Sequence, residues 1–234
     1  MYGMFYNSSY LLYMAPALIL MLVVQLYVKS AYNKWSKVQP RSRLTGADAA
    51  QRLIRSAGLD NVEIAGVKGK MTDHYDPRTK VLRLSEGVYR SSSVASLAIA
   101  AHEIGHAMQD NDGYFPLRLR GAIVPAVNIG SYLGWILIIV GMLLNIAGIA
   151  WLGLVVFSGG ALFALATLPV ELNASARAKQ LLVQSGMIVG EQERRGVNNV
   201  LNAAALTYVA ALVTAVLQLL YWVMLVAGMG GRRR

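Results

Sequence analysis

Two histidines and a glutamate have a spacing that suits metal chemistry. His102, Glu103 and His106 form an H-E-x-x-H pattern, and a helix would place the two imidazoles one turn apart on one face. Imidazoles at this spacing can hold one Zn²⁺ ion. The glutamate beside them can take a proton from zinc-bound water and later give it to a leaving amine. The pattern predicts a zinc site with Glu103 as general base, whereas the alternative is a helix with surface His and Glu side chains.

Metal ligands are scarce in this chain. The sequence has no cysteine and three histidines, two of which fall in the pattern. Disulfides, thiolate metal sites and cysteine nucleophiles are therefore excluded. The remaining imidazole, His74, could be a ligand or a transition-state donor, but its Asp- and Pro-rich surroundings favour a structural role in a turn.

The third ligand is sought among the downstream carboxylates. A metzincin would require Gly at position 109 and His at position 112, and the chain has Gln109 and Asp112 instead. Asp110 lies too far along the helix from His102 to complete the site easily. Glu191 and Glu193 adjoin two arginines, where solvated surface charge is the usual outcome.

Glu171 is the favoured carboxylate. It follows the third apolar run directly and begins a polar helical stretch. If the chain crosses the bilayer twice between His106 and Glu171, both residues return to the same side at the same depth. Three protein ligands and a water would then complete a catalytic zinc site. A helix-capping role for this carboxylate is the alternative.

Three polar residues close to Glu171 are candidates for supporting roles. Ser175 lies one turn further along and could hydrogen-bond a ligand, or bond its own helix backbone instead. Asn173 and Arg177 are possible substrate or oxyanion contacts, although an arginine near a membrane surface more often binds phosphate headgroups.

Four charge-free apolar runs are long enough to span a bilayer core of about 30 Å. The first is too long, and lacks the basic leader, for a signal peptide. Apolar residues make up 56% of the chain, which also favours a membrane class. The runs cover residues 10–28, 122–144, 146–168 and 203–226.

The polar stretch from Lys29 to Arg120 has the composition of a small soluble domain. Thr45 or Asp48 could cap a first helix, and the serines at 91–93 could cap the helix that carries the histidines. Between these helices, residues 62–67 and 81–84 have strand patterns that indicate a hairpin or small sheet. The second pattern could be the exposed edge that pairs with an extended peptide.

Basic residues predict the orientation. A four-span chain has 19 of its 22 Lys and Arg residues on the side of the polar stretch, and the other three are Arg232, Arg233 and Arg234. The positive-inside rule therefore predicts a multi-pass cell-membrane protein with its site facing the cytoplasm. The net charge of +10 is dispersed, which favours anionic lipid over nucleic acid as a partner.

These observations divide the chain into a membrane helix, a polar catalytic segment, a membrane hairpin, a second polar segment with Glu171, and a last membrane helix with a basic tail. The corresponding ranges are 1–28, 29–120, 121–169, 170–202 and 203–234. Two rival functions are an intramembrane-cleaving protease and a non-enzymatic scaffold with a vestigial or structural zinc site. The polar residues around the histidine helix bracket too short a segment for the first rival.

Three ordered motifs resemble the YugP-like membrane zinc metallopeptidases over nearly the whole chain. They are residues 73–89 (DHYDPRTKVLRLSEGVY), 101–109 (AHEIGHAMQ) and 169–178 (PVELNASARA). More distantly, the Glu171-x-x-Ala-Ser175 stretch is similar to the Glu-x-x-Ala-Asp signature of the HtpX-type gluzincins, with serine replacing aspartate.

Together with the four apolar runs, the resemblance implies an α-helical membrane protein with about four transmembrane helices and a small α+β gluzincin-like core. It also implies one zinc ion per chain, Glu171 as the third ligand, and endopeptidase activity. The expected substrate is a membrane or membrane-proximal polypeptide, and an oligomer or a regulatory membrane partner is left open.

Overall fold

The computed structural model describes residues 8–230. The C-terminal arginines at 232–234 lie outside this range. The described chain is mostly helical, with one small sheet. Its elements in chain order are α1 (Ser8–Trp35), α2 (Gly46–Ser56), β1 (Glu63–Val67), β2 (His74–Asp76), β3 (Val81–Ser85), α3 (Glu86–Tyr89), α4 (Val94–Asn111), α5 (Phe115–Leu143), α6 (Ala147–Phe157), α7 (Gly159–Gln184) and α8 (Glu191–Gly230).

Four helical stretches are long and apolar enough to cross a membrane, which is the predicted number. Large apolar side chains on them point outward: Leu12 and Leu18 are 72% and 66% exposed in the isolated chain. Water would penalise such exposure, whereas lipid tails accommodate it. The stretches are Tyr10–Trp35, Phe115–Leu143, Ala147–Gln184 and Glu191–Met229.

The described chain forms two compact units. One contains residues 8–24, 119–168 and 207–230. Within it α5 and α6 approach closely through glycines: a Cβ added at Gly153 would lie 2.6 Å from the backbone nitrogen of Ile138. Small residues allow this approach because membrane helices associate mainly through close packing.

The other unit contains residues 25–118 and 169–206, and it has its own apolar core. Its α2 begins as predicted, because the Thr45 hydroxyl accepts the Asp48 N–H at 3.1 Å and the Asp48 carboxylate accepts the Thr45 N–H at 3.2 Å. This reciprocal pair is a capping box.

The three strands are ordered β1-β3-β2, with β1 parallel and β2 antiparallel to β3. The two strand patterns seen in the sequence therefore belong to a small sheet, which confirms one of the two expectations, and the alternative of a hairpin is wrong because β1 and β3 are parallel. The expectation that β3 is the exposed peptide-binding edge is wrong, because β3 is the central strand and its Leu82 and Leu84 are fully buried. The edge strands are β1 and the short β2, which was not predicted.

Candidate metal centre

The histidine pair lies on α4, a helix whose start is fixed by a side-chain cap. The Ser93 hydroxyl accepts the Ser96 N–H at 3.1 Å, as the serine run predicts. One face of α4 is buried through Leu97, Ala101 and Ile104, and this packing fixes the helix rotation. The rings of His102 and His106 then lie side by side, with centroids 4.8 Å apart.

Glu171 on α7 lies against both imidazoles. Its Oε2 atom is 3.3 Å from His102 Nε2 and 3.5 Å from His106 Nε2, and the side chain is only 2% exposed. One ligand atom from each of the three residues lies within 4.8 Å of the others. The structure thus brings together the three residues that the sequence analysis proposed as ligands.

The close approach of α4 and α7 requires a residue without a side chain at position 105. A Cβ added to Gly105 would lie 2.5 Å from the carbonyl oxygen of Ala174. This is shorter than the normal contact, so a larger residue would push α7 away. The glycine inside H-E-x-x-H therefore helps to bring Glu171 to the histidines.

The distances from Glu171 to the two histidines fit the ligand spacing around a tetrahedral zinc ion. Zn–N and Zn–O bonds of about 2.0–2.1 Å place neighbouring ligand atoms about 3.3 Å apart. The two distances from Glu171 Oε2 to the imidazole nitrogens, 3.3 and 3.5 Å, match this spacing. Two imidazoles and one carboxylate are also a donor set of known catalytic zinc sites.

The electrostatics of the cluster favour a cation. Burial alone would lower the pKa of His106, but its hydrogen bond to Glu171 and the charges of Glu103 and Glu171 raise it, and the net shift is upward. A positive charge between the imidazoles and the carboxylate is therefore stabilised. A divalent metal supplies that charge without a proton.

Glu103 is placed beside the cluster and is not part of it. Its side chain is 9% exposed, and its Oε2 accepts the backbone N–H of Tyr75 on β2 at 3.0 Å. The Tyr75 hydroxyl in turn donates to Asp110 at 2.7 Å, and Lys80 pairs with the same carboxylate. Burial, followed by the hydrogen bond to Asp110, raises the pKa of Tyr75, so the phenol remains a donor.

The polar residues that follow Glu171 are not all near the ligands. The Ser175 hydroxyl is 3.2 Å from His102 Nδ1, so this residue contacts a candidate ligand. Arg177 donates to Asn173 Oδ1 at 2.9 Å, pairs with Asp112 and lies over the Tyr114 ring. These contacts connect α7 to the end of α4.

The remaining candidates for the third ligand have other partners. His74 is exposed, and its Nδ1 is 2.8 Å from the Thr72 carbonyl oxygen. Asp110 is held by Tyr75 and Lys80, and Glu191 pairs with Arg195 on the surface. The prediction that Glu193 is a solvated surface charge is wrong, because its side chain is buried.

Glu193 is 5% exposed and holds backbone groups in place. It accepts the N–H groups of Arg41, Val189 and Gly190 at 2.5, 3.0 and 3.1 Å. Three donors compensate its burial, so this carboxylate has a structural role at the start of α8.

Gln109 contacts the cluster and was not identified from the sequence. Its side chain is fully buried, and its Oε1 is 3.0 Å from His106 Nδ1. In the sequence this position stands out only as a departure from the metzincin pattern and as the last residue of the motif at 101–109. The usable signal was its place one helical turn after His106, on the same face.

Comparison with known proteins agrees with this chemistry. The family model described as "Putative neutral zinc metallopeptidase" matches residues 10–227. The "Putative membrane protease YugP" of Bacillus subtilis (strain 168) is 47% identical over 201 residues, covering 86% of this chain and 89% of that protein. No solved structure matches the chain significantly.

Proposed function

Because the chain belongs to the neutral zinc metallopeptidase family, we propose that it is a membrane-bound zinc endopeptidase with one zinc ion held by His102, His106 and Glu171. The observation that carries this proposal is the buried carboxylate of Glu171 within 3.5 Å of both Nε2 atoms. A three-ligand site leaves a position for water and substrate, as catalytic zinc sites require. The HtpX-type gluzincins suggest the same ligand set.

Glu103 is the proposed general base. Zinc held by His102, His106 and Glu171 would supply a Lewis acid that polarises the scissile carbonyl and lowers the pKa of a water molecule. Glu103 adjoins His102 and is not used as a ligand, so its carboxylate is available to accept a proton. The same group can then return the proton to the leaving amine.

The edge strand β2 is the proposed binding surface for the substrate backbone. The Tyr75 N–H donates a hydrogen bond to the Glu103 carboxylate, so it points away from β3 and toward the base. An extended polypeptide that pairs with this edge would accept the Tyr75 N–H in place of Glu103 and so lie beside the base. Strand pairing recognises the backbone and would tolerate many sequences. The four apolar helices favour membrane or membrane-proximal polypeptides as substrates.

Cleavage by the purified chain tests the proposed function. Incubated with an unfolded membrane polypeptide, the zinc-loaded protein should produce defined fragments. A chelator should stop cleavage, and added zinc should restore it, because Glu103 alone cannot activate water sufficiently. A protein that binds zinc but cleaves no such polypeptide would instead be the non-enzymatic scaffold.

We further propose that the site faces the cytoplasm in a multi-pass cell membrane. The support is the 19 of 22 Lys and Arg residues that a four-span chain has on the side of His102. The chain has no cysteine, so single cysteines can report each side without background.

Labelling with a membrane-impermeant thiol reagent tests this orientation. Lys70 is exposed on the unit that holds the histidines, so Lys70→Cys reports the side of the site. Leu144 is exposed in the link between the second and third candidate spans, so Leu144→Cys reports the other side. In intact cells we expect Leu144→Cys to be labelled, and Lys70→Cys to be labelled only after lysis. The reverse pattern would place the site outside the cytoplasm.

A further inference from the structure

Gln109 is a buried amide between the two helices that carry the candidate ligands. Its Nε2 donates to the Val170 carbonyl oxygen at 2.8 Å and to Asn173 Oδ1 at 3.0 Å, while its Oε1 faces His106 Nδ1. The side chain is 0% exposed, so no water competes for these groups. All three polar contacts are made with residues at or beside the cluster.

The direction of these hydrogen bonds is fixed by a residue that can only donate. Arg177 donates to Asn173 Oδ1 and is held from its other side by Asp112. The Asn173 atom that faces both Arg177 and Gln109 must therefore be an oxygen. Consequently the Gln109 atom facing it must be the NH₂ group, and the Val170 carbonyl requires the same orientation.

This polarity continues to the histidine ring. With both Gln109 hydrogens used, its Oε1 can only accept, so His106 must carry a hydrogen on Nδ1. A neutral imidazole protonated at Nδ1 has its lone pair on Nε2. Nε2 is the atom that lies 3.5 Å from Glu171 Oε2.

We propose that Gln109, oriented by Asn173 and Arg177, is a positioning residue that fixes the zinc-binding tautomer of His106 and holds the backbone beside Glu171 against α4. This inference rests on the proposed zinc site. It gives Asn173 and Arg177 an orienting role in place of a direct contact with substrate. It also explains why a glutamine is fully buried at this position, since every polar atom of its amide has a partner.

Zinc affinity measured by chelator competition tests the proposal. Gln109→Met keeps the size of the side chain and removes its donors and its oxygen. We expect zinc to bind about 10- to 100-fold more weakly, the loss typical when a partner of a ligand histidine is removed. Gln109→Glu restores an acceptor for His106 Nδ1 and, when protonated, a donor, so it should recover most of the affinity.

A matched control separates positioning from general stability. Asn199 joins Trp35 Nε1 and the Tyr27 hydroxyl in the same unit, away from the ligands. Asn199→Leu should therefore lower the melting temperature of the metal-free protein without weakening zinc binding. The proposal would be overturned if Gln109→Met bound zinc as tightly as the unmodified protein, or if Gln109→Met and Gln109→Glu bound it equally.

A second variant covers the case in which Gln109→Met does not fold. Asn173 is half-buried, and Asn173→Ala removes the acceptor that orients Gln109. A smaller fall in zinc affinity is expected, and an unchanged affinity counts against the proposal. If the unmodified protein itself binds no zinc, then the proposed function fails and not this inference alone.

Discussion

Glu103→Gln is expected to abolish measurable peptide cleavage while zinc remains bound. The amide has nearly the same shape and can still accept the Tyr75 N–H, but it cannot take a proton from water. Loss of a general base lowers the rate by about 10²- to 10⁴-fold. Zinc content should be unchanged, because Glu103 lies outside the group formed by His102, His106 and Glu171. Fragment formation and metal content measured on the same preparation check both parts.

Glu86→Gln is the matched control for this substitution. Glu86 is an exposed glutamate of the same unit, and it pairs with Arg90 across one helical turn. Its conversion to the amide should leave cleavage unchanged. Full activity in Glu103→Gln would end the proposed mechanism, and loss of zinc from that variant would mean that Glu103 is a ligand.

The positions of His102 and His106 were predictable because their relation is local. A spacing of four residues within one helix fixes their common face, and the serine run before the helix fixes its start. Glu171 was predictable from topology, since two predicted membrane crossings between His106 and Glu171 would return the chain to the same side. Both predictions depend on helical periodicity and bilayer thickness, which are regular.

The sheet could not be predicted in the same way. Strand patterns at 62–67 and 81–84 do not say whether the strands are parallel, and β2 is only three residues long. Its insertion beside β3 is determined by long-range contacts, including that of Tyr75 with Glu103. The exposed edge was therefore assigned to the wrong strand.

Buried polar residues were the other failure, and for a related reason. Gln109 bonds to a carbonyl 61 residues away, and Glu193 bonds to a backbone N–H 152 residues away. Charge and polarity favour the surface unless such partners exist. The partners are visible only in the folded chain, so sequence patterns lead to the surface interpretation.

Glu171→Ala should lose zinc even though the protein remains folded. Glu171 supplies the carboxylate of the group formed with the two histidines, and its removal leaves two protein ligands. We expect a loss of zinc affinity greater than the roughly 10- to 100-fold typical of a residue that only hydrogen-bonds a ligand. Metal content after purification, and chelator competition, measure this loss.

Glu193→Ala is the control, because it also removes a buried carboxylate from the same unit. Glu193 is held by three backbone N–H groups and touches none of the candidate ligands. Its loss should lower thermal stability and leave zinc affinity unchanged, whereas Glu171→Ala should lower zinc affinity. Unchanged zinc affinity in Glu171→Ala would require a different third ligand. The mechanism proposed for Glu103 would then fail as well, because it assumes a zinc ion held by Glu171 and the two imidazoles beside the base.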